Sequence, residues 1–170
     1  MQEAEQSGGP AGADAGSANR ALIDRLYDAL DRHDGEAMAA CYAPDAAFSD
    51  PVFRDLSGSE AGDMWRMLCS RADDLSVEAG EVEATEHEGS AHWVATYTFG
   101  PTGRKVVNDI RARFRFTDGL IVEHRDSFSL RHWIAMAMGP TGRLFGWTPP
   151  MQAAVRKRAA AQLRAFTDSR

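Results

Sequence analysis

The sequence predicts an α+β domain in which helices pack on one face of a mostly antiparallel sheet. Apolar residues recur at helical spacing between residues 19 and 73, whereas from residue 75 to residue 130 they alternate with polar residues. Turn-forming residues divide this second region into four segments, which lie too close together in the chain for parallel pairing. Helices followed by an antiparallel meander are typical of this fold class.

The composition argues against several classes of protein. With 170 residues, 44% of them hydrophobic, the chain has room for one domain with a substantial core. A formal net charge of -6 argues against a nucleic-acid partner, because phosphate binding needs clustered Lys and Arg. No apolar run approaches the ~20 residues that span a bilayer, so no membrane partner is expected. Cys41 and Cys69 lie among apolar helical residues, and no basic segment followed by an apolar one begins the sequence, so we expect a cytoplasmic setting.

The first part of the chain is predicted to contain a tail, three helices and one strand. Residues 1–18 are rich in Gly, Ala, Glu, Gln and Ser without apolar periodicity, and we expect a flexible tail there. The first helix begins at Asn19, and Asp34 caps a short second helix that runs through Tyr42. A strand at 46–50 precedes the third helix.

The second part is predicted to form a meander and a helical extension. Four strands are expected, at residues 75–86, 91–99, 104–117 and 120–130. With the preceding helices they make up one domain over residues 19–132. Residues 133–170 add two amphipathic helices around an apolar Gly/Pro loop at 139–150. We expect this helical extension to pack on the same domain, and its apolar loop must pack against some surface. The last helix either closes the mouth of a pocket or contributes to a dimer interface.

Alternation in the last two strands places polar side chains in the core. Asn108 shares a face with the apolar residues of its strand, while Asp109 and the neighbouring arginines lie on the other face. In the following strand His124 and Asp126 share one face, which also carries Leu120, Val122, Phe128 and Leu130. Buried polar groups need hydrogen-bond partners, so these three residues form either a structural network or the wall of a wet pocket.

Three polar residues on one face favour the pocket. A carboxyl group among apolar neighbours has a raised pKa, which suits Asp126 to general acid or base catalysis. Trp93 and Tyr97 share a face of their own strand and either line this pocket or pack in the core.

The sequence predicts no metal and no cofactor. The histidines outside the inner face lack the spacing and partners of a metal site; they are His33, His87, His92 and His132. The glycines at 139–143 lack the spacing of a phosphate-binding or dinucleotide-binding loop.

Two segments resemble ketosteroid isomerases and SnoaL-like polyketide cyclases, members of the nuclear transport factor 2-like superfamily. They are YAPDAAFSDPV at 42–52 and GLIVEHRDSF at 119–128, and the resemblance extends over about 19–132. It implies a cone-shaped, curved sheet with the N-terminal helices on its concave face, a small-molecule pocket and a homodimer. The superfamily includes isomerases, cyclases, epoxide hydrolases, dehydratases and non-catalytic binders, so it indicates the fold more specifically than the chemistry.

The resemblance also suggests site residues. Asp50, which precedes a proline, matches the general base of the isomerases. The oxyanion tyrosine of that family would fall at Leu26, so Tyr27 or Asn108 would have to replace it. Asp126, assisted by His124, is similar in position to the acid/base aspartate that the sheet provides in SnoaL-like cyclases. An epoxide hydrolase ranks lower, because the arginines of the strand at 104–117 point outward.

The leading hypothesis is a cofactor-free isomerase, cyclase or hydrolase that acts on a small apolar metabolite. Its predicted catalytic residues are Asp50, Asp126 and His124. Its predicted substrate-binding residues are Tyr27, Asn108, Trp65, Trp93, Tyr97 and Phe128. A non-catalytic ligand-binding or interaction module is the main alternative, and a structural homodimer with fully bonded polar residues is the third.

Overall fold

A computed structural model describes residues 10–170 and confirms the predicted α+β class. Its helices are α1 (Pro10–Asp31), α2 (Gly35–Ala39), α3 (Ser59–Arg71), α4 (Leu130–Met138), α5 (Pro140–Phe145) and α6 (Pro149–Asp168). Its strands are β1 (Tyr42–Ser49), β2 (Leu56–Ser57), β3 (Ser76–Ala84), β4 (Glu88–Phe99), β5 (Arg104–Thr117) and β6 (Leu120–Ser127). None of the described helices is long and apolar enough to cross a bilayer.

The strands form one six-stranded sheet in the order β2-β1-β6-β5-β4-β3. Every neighbouring pair is antiparallel except β1 and β6, which run parallel. The hairpin between β5 and β6 turns at Asp118 and Gly119, whose φ angles of 52° and 74° suit a two-residue primed turn. The core lies between the sheet and the helices, where α1 contributes Leu22, Ile23 and Leu26, each at most 2% exposed.

Side-chain alternation in β5 agrees with the prediction along most of the strand. From Val106 to Phe116 every second residue is buried, and the residues between them are exposed. This pattern puts Asn108 inside and Asp109 outside, as the sequence indicated.

Strand β6 differs from the prediction at its start, where a β-bulge reverses the alternation. Arg115 pairs with Glu123, but Phe116 pairs with Ile121, so Val122 is an extra residue. Ile121 is therefore fully buried, in place of the predicted Leu120 and Val122. Beyond the bulge, His124 and Asp126 point inward as predicted.

The predicted flexible tail is wrong over residues 10–18, which belong to α1, and residues 1–9 lie outside the described residues. Pro10 suits the first turn of a helix, and four alanines in this stretch are strong helix formers. The Asn19 side chain donates hydrogen bonds of 2.9 Å to the carbonyl oxygens of Thr85 and Glu86. These bonds anchor the helix to the turn after β3.

Helix α2 and strand β1 also differ from their predicted bounds. Asp34 caps α2 as predicted, accepting a 2.9 Å bond from the amide of Ala37, but the helix ends at Ala39. Strand β1 begins at Tyr42 because it pairs with β6, and the amide of Ile121 donates to the carbonyl of Cys41 at 3.0 Å.

The C-terminal region contains three helices where two were predicted. Helix α5 lies within the Gly/Pro loop and packs closely on α4: a Cβ at Gly142 would lie 2.2 Å from the carbonyl oxygen of Ile134. Helix α6 packs on α3, and Thr167 donates to the Asp63 carboxylate at 3.2 Å. Three apolar side chains of this loop are exposed on the single chain, and their packing against another surface stays a prediction. Leu144, Phe145 and Trp147 are 64%, 48% and 60% exposed.

Candidate active site

A chain of hydrogen bonds crosses the core and ends at Asp126. The indole Nε1 of Trp65 donates to the Tyr42 hydroxyl at 2.8 Å, and this hydroxyl lies 2.7 Å from Nδ1 of His124. Nε2 of His124 lies 2.9 Å from Oδ1 of Asp126, which also accepts a 3.3 Å bond from Nε1 of Trp93. All five residues are buried, so the network is enclosed by the core.

The hydrogen-bond roles of the two His124 nitrogens depend on the tautomer of the ring. Because the Tyr42 oxygen accepts from Trp65, its own proton is available to Nδ1 of His124. In the tautomer that carries a proton on Nε2, the ring donates to Asp126. Both ring nitrogens are satisfied, and every donor in the chain points toward the Asp126 carboxylate.

Aromatic rings surround His124 on several sides. Its ring centroid lies 4.3 Å from that of Phe114 and 5.0 Å from that of Phe48, and it stacks on the rings of Tyr42 and Trp65. The residue has no exposed surface. The structure thus places His124 where it orients Asp126, away from solvent.

Asp50 lies just after β1 in a local turn. Its Oδ1 accepts bonds from the backbone amides of Val52 and Phe53, at 2.6 and 2.5 Å. No hydrogen bond from the described residues engages its Oδ2. Helix α6 supports the turn, because Nε of Arg156 donates to the carbonyl of Pro51 at 2.9 Å.

The pKa of Asp50 is raised to about 7, chiefly because burial disfavours the charged form. The negative charge of Asp126 raises it further, whereas the two backbone amides and His124 act in the opposite direction. Asp50 therefore interacts electrostatically with two members of the buried network, Asp126 and His124. A carboxyl group with such a pKa exchanges protons at neutral pH.

Tyr27 provides a buried hydroxyl without a partner. It is 3% exposed, and its oxygen makes no hydrogen bond with any residue in 10–170. Its ring packs on Trp93, with centroids 5.3 Å apart. Burial raises its pKa, and the charges of Asp126 and Tyr42 raise it further. Tyr27 is therefore an unused donor beside the network.

Tyr97 links this region to the C-terminal helices. Its hydroxyl accepts a 2.7 Å bond from Nε1 of Trp133 in α4. Burial raises its pKa, and the charge of Asp50 contributes to the rise. Trp133 also packs edge-to-face on Phe99, with ring centroids 5.4 Å apart. The C-terminal extension therefore supports a side chain whose pKa is affected by the charge of Asp50.

The structure brings most of the predicted site residues together through hydrogen bonds, ring contacts or charge interactions. They are Asp50, His124, Asp126, Tyr27, Trp65, Trp93 and Tyr97. Asn108 is 8% exposed on the same face, but its side chain makes no hydrogen bond within the described part of the chain. Phe128 is half-buried, packs on the core and makes no ring contact with the network among residues 10–170.

Sequence reasoning missed Tyr42, which links Trp65 to His124 in the network. The signal was its period-two spacing with the buried residues Ala46 and Phe48 of β1. The predicted second helix, which runs through Tyr42, conceals that spacing.

Two pockets lie outside the network. One, of about 620 Å³, is formed by the start of β5 with α4 and Arg143, and the other, of about 320 Å³, lies beside the turns after β3 and β5. Neither is lined by a predicted site residue. Across residues 10–170, His, Cys, Asp and Glu side chains form no group of three suited to a metal ion.

Comparison with known proteins supports the fold and gives the family. No curated protein matches the chain. A solved structure from M. tuberculosis, an LEH-like epoxide hydrolase, is 17% identical over 76% of this chain and 96% of its own, with a TM-score of 0.60. A candidate SnoaL-like polyketide cyclase from a Jannaschia species is 18% identical over 79% of this chain and 99% of its own, with a TM-score of 0.66.

A candidate polyketide cyclase from Xanthomonas campestris is 23% identical over 72% of this chain and 98% of its own, with a TM-score of 0.58. These structures share the curved, open sheet with helices on one side. The sequence pattern of the SnoaL-like domain matches residues 23–124, which include β1, Asp50 and the start of β6 up to His124. The chain therefore belongs to the SnoaL-like domain family.

Proposed function

We propose that the protein is a cofactor-free acid–base enzyme that moves a proton on a small, largely apolar metabolite with a carbonyl group. The observation that carries this proposal is the state of Asp50. Two backbone amides hold one of its oxygens, the other oxygen is unengaged by residues 10–170, and its pKa is about 7. A base with a pKa near the working pH is largely deprotonated and still basic enough to drive proton transfer from the substrate.

In the proposed reaction Asp50 acts as the general base. A C–H bond next to the carbonyl breaks, its proton passes to Oδ2 of Asp50, and the electron pair moves onto the carbonyl oxygen. The Tyr27 hydroxyl, which has no partner among residues 10–170, donates to the resulting oxyanion. Return of the proton at another carbon gives an isomer.

Alternatively, the enolate carbon attacks a second carbonyl and closes a ring: the C=O π bond breaks, and the alkoxide that forms takes the proton held by Asp50. Two of the similar structures are named as candidate polyketide cyclases. His124 and Asp126 have positioning and electrostatic roles in this proposal. Both nitrogens of His124 are occupied, and one Asp126 oxygen accepts two hydrogen bonds.

Proton exchange tests the proposal without the natural substrate. We expect the protein to catalyse deuterium incorporation next to the carbonyl of small cyclic β-diketones or β,γ-unsaturated ketones in D2O, followed by NMR. The value of kcat/KM should rise with pH and level off above a midpoint near pH 7, because the deprotonated Asp50 is the active form. Compounds that stabilise the protein thermally but undergo neither exchange nor isomerisation would instead identify a non-catalytic binding module.

A pair of tyrosine substitutions separates the proposed donor from the structural network. Tyr27→Phe should lower the exchange rate roughly 100-fold without destabilising the fold, because its hydroxyl gives up no hydrogen bond within residues 10–170. Tyr42→Phe should cost about 2–6 kcal/mol of unfolding free energy, because it leaves two buried groups, the Trp65 indole and Nδ1 of His124, unpaired.

Thermal denaturation and the NMR exchange assay on both variants measure these effects. A Tyr27→Phe protein that exchanges as fast as wild type contradicts the donor role. A Tyr27→Phe protein that is destabilised as much as Tyr42→Phe contradicts the unpaired state of its hydroxyl.

A further inference from the structure

The 620 Å³ pocket beside α4 has a strongly basic wall. Its lining includes Arg104 and Lys105 from the start of β5, Arg131 and His132 from α4, and Arg143 from α5. Ser129, the N-cap of α4, lies among them, and none of the lining residues is acidic. Four permanent positive charges thus surround one cavity in a chain whose formal net charge is -6.

These charges are largely available to a ligand. Within residues 10–170, Lys105, Arg131 and Arg143 form no salt bridge. Lys105 interacts at longer range with Asp74, whose oxygens accept hydrogen bonds from the backbone and side chain of Thr98. Positive charges with low-dielectric walls between them concentrate anions in a cleft.

The wall that carries Arg104 is held in place before any ligand arrives. Nε of Arg104 donates to the carbonyl of Met136 at 2.9 Å, which leaves the two terminal nitrogens of the guanidinium for other acceptors. The guanidinium lies against Gly139, where a Cβ would be 2.9 Å from its Cζ atom. Thr102 donates to the carbonyl of Ala137 and so ties the turn between β4 and β5 to α4. A preorganised cation loses less freedom on binding than a free one.

We propose that this pocket binds the diphosphate group, or two adjacent phosphates, of a small soluble metabolite. Guanidinium groups match phosphate oxygens in pairs, and three arginines with one lysine more than offset the negative charge of a diphosphate ester. The cavity volume lies within the range of small-molecule sites. The N-terminal end of α4 adds a favourable dipole. The site is separate from Asp50 and does not depend on the proposed reaction.

Calorimetric titration with inorganic pyrophosphate at low ionic strength tests the site. We expect one pyrophosphate per chain, with affinity that falls as salt is added. The double substitution Arg131→Gln and Arg143→Gln should weaken binding at least tenfold, because each removes charge-assisted hydrogen bonds. The matched control is Arg113→Gln with Arg158→Gln, which removes the same charge from exposed positions outside the pocket and should change affinity less than about twofold.

Three outcomes would overturn the proposal. They are no measurable pyrophosphate binding to the wild-type chain, equal weakening in the two double variants, and binding to phosphatidylglycerol vesicles that pyrophosphate does not compete with. The last outcome would assign the basic wall to a lipid surface. All substituted arginines are exposed, and thermal denaturation of each variant verifies its fold.

Discussion

The Asp50→Asn protein should lose most of its proton transfer and yet be more stable than wild type above pH 7. Loss of the general base lowers the rate by about 10²- to 10⁴-fold. Asparagine keeps an oxygen for the amides of Val52 and Phe53, so the local turn survives the change. It also carries no charge, and burial of the charged carboxylate is what raises the pKa of Asp50.

The pH dependence of this stabilisation follows from the raised pKa. The folded protein keeps the Asp50 proton up to about pH 7, whereas the unfolded chain releases it near the ordinary value of 3.8. Between these two values the folded state binds more protons, so the contribution of Asp50 to stability decreases as the pH rises. Above pH 7 the loss amounts to as much as about 4 kcal/mol. The Asp50→Asn variant avoids this loss of stability.

Denaturant unfolding of both proteins at pH 4, 6 and 8 measures the effect, together with the exchange assay. The difference in unfolding free energy should be near zero at pH 4 and largest at pH 8. Asp45→Asn is the matched control, because Asp45 is an exposed carboxylate in β1, the strand that ends just before Asp50. Equal stability of Asp50→Asn and wild type at pH 8 would refute the raised pKa, and unchanged turnover would refute the catalytic role.

The inner face of the sheet could be predicted because alternation is a local property of a strand. Asn108, His124 and Asp126 are 8%, 0% and 6% exposed, as the alternation of side chains along their strands predicted. Asp50 came from resemblance to a family, and its local turn uses the common ability of aspartate to bind amides two and three residues later.

The network itself could not be predicted, because it depends on contacts between distant segments. Tyr42 and His124 are 82 residues apart in the sequence and meet through the parallel pairing of β1 with β6. The bulge at Val122 likewise arises from the register between two strands. The anchoring of α1 by Asn19 to the turn after β3 is a third case, and it explains why a stretch without apolar periodicity is helical.

Removal of the Asp126 carboxylate tests the network most severely. Asp126→Leu leaves Nε2 of His124 and Nε1 of Trp93 without their acceptor in a buried setting. Two unpaired donors cost about 1–3 kcal/mol each, so we expect a loss of about 2–6 kcal/mol of unfolding free energy. For a chain of this length such a loss lowers Tm by roughly 4–24 °C. Asp126→Asn retains an acceptor oxygen and should lose less than half as much.

The asparagine variant also identifies which aspartate is the base. Its side chain preserves both hydrogen bonds but removes the negative charge that helps to raise the pKa of Asp50. If Asp50 is the base, Asp126→Asn should remain active, and the midpoint of its pH–rate profile should move below that of wild type. If Asp126 is the base, the same variant should lose turnover at every pH. The pH–rate profile of any activity that remains should then keep its midpoint. Because folding and turnover are measured on one variant, the position of the midpoint separates an electrostatic role of Asp126 from a catalytic one.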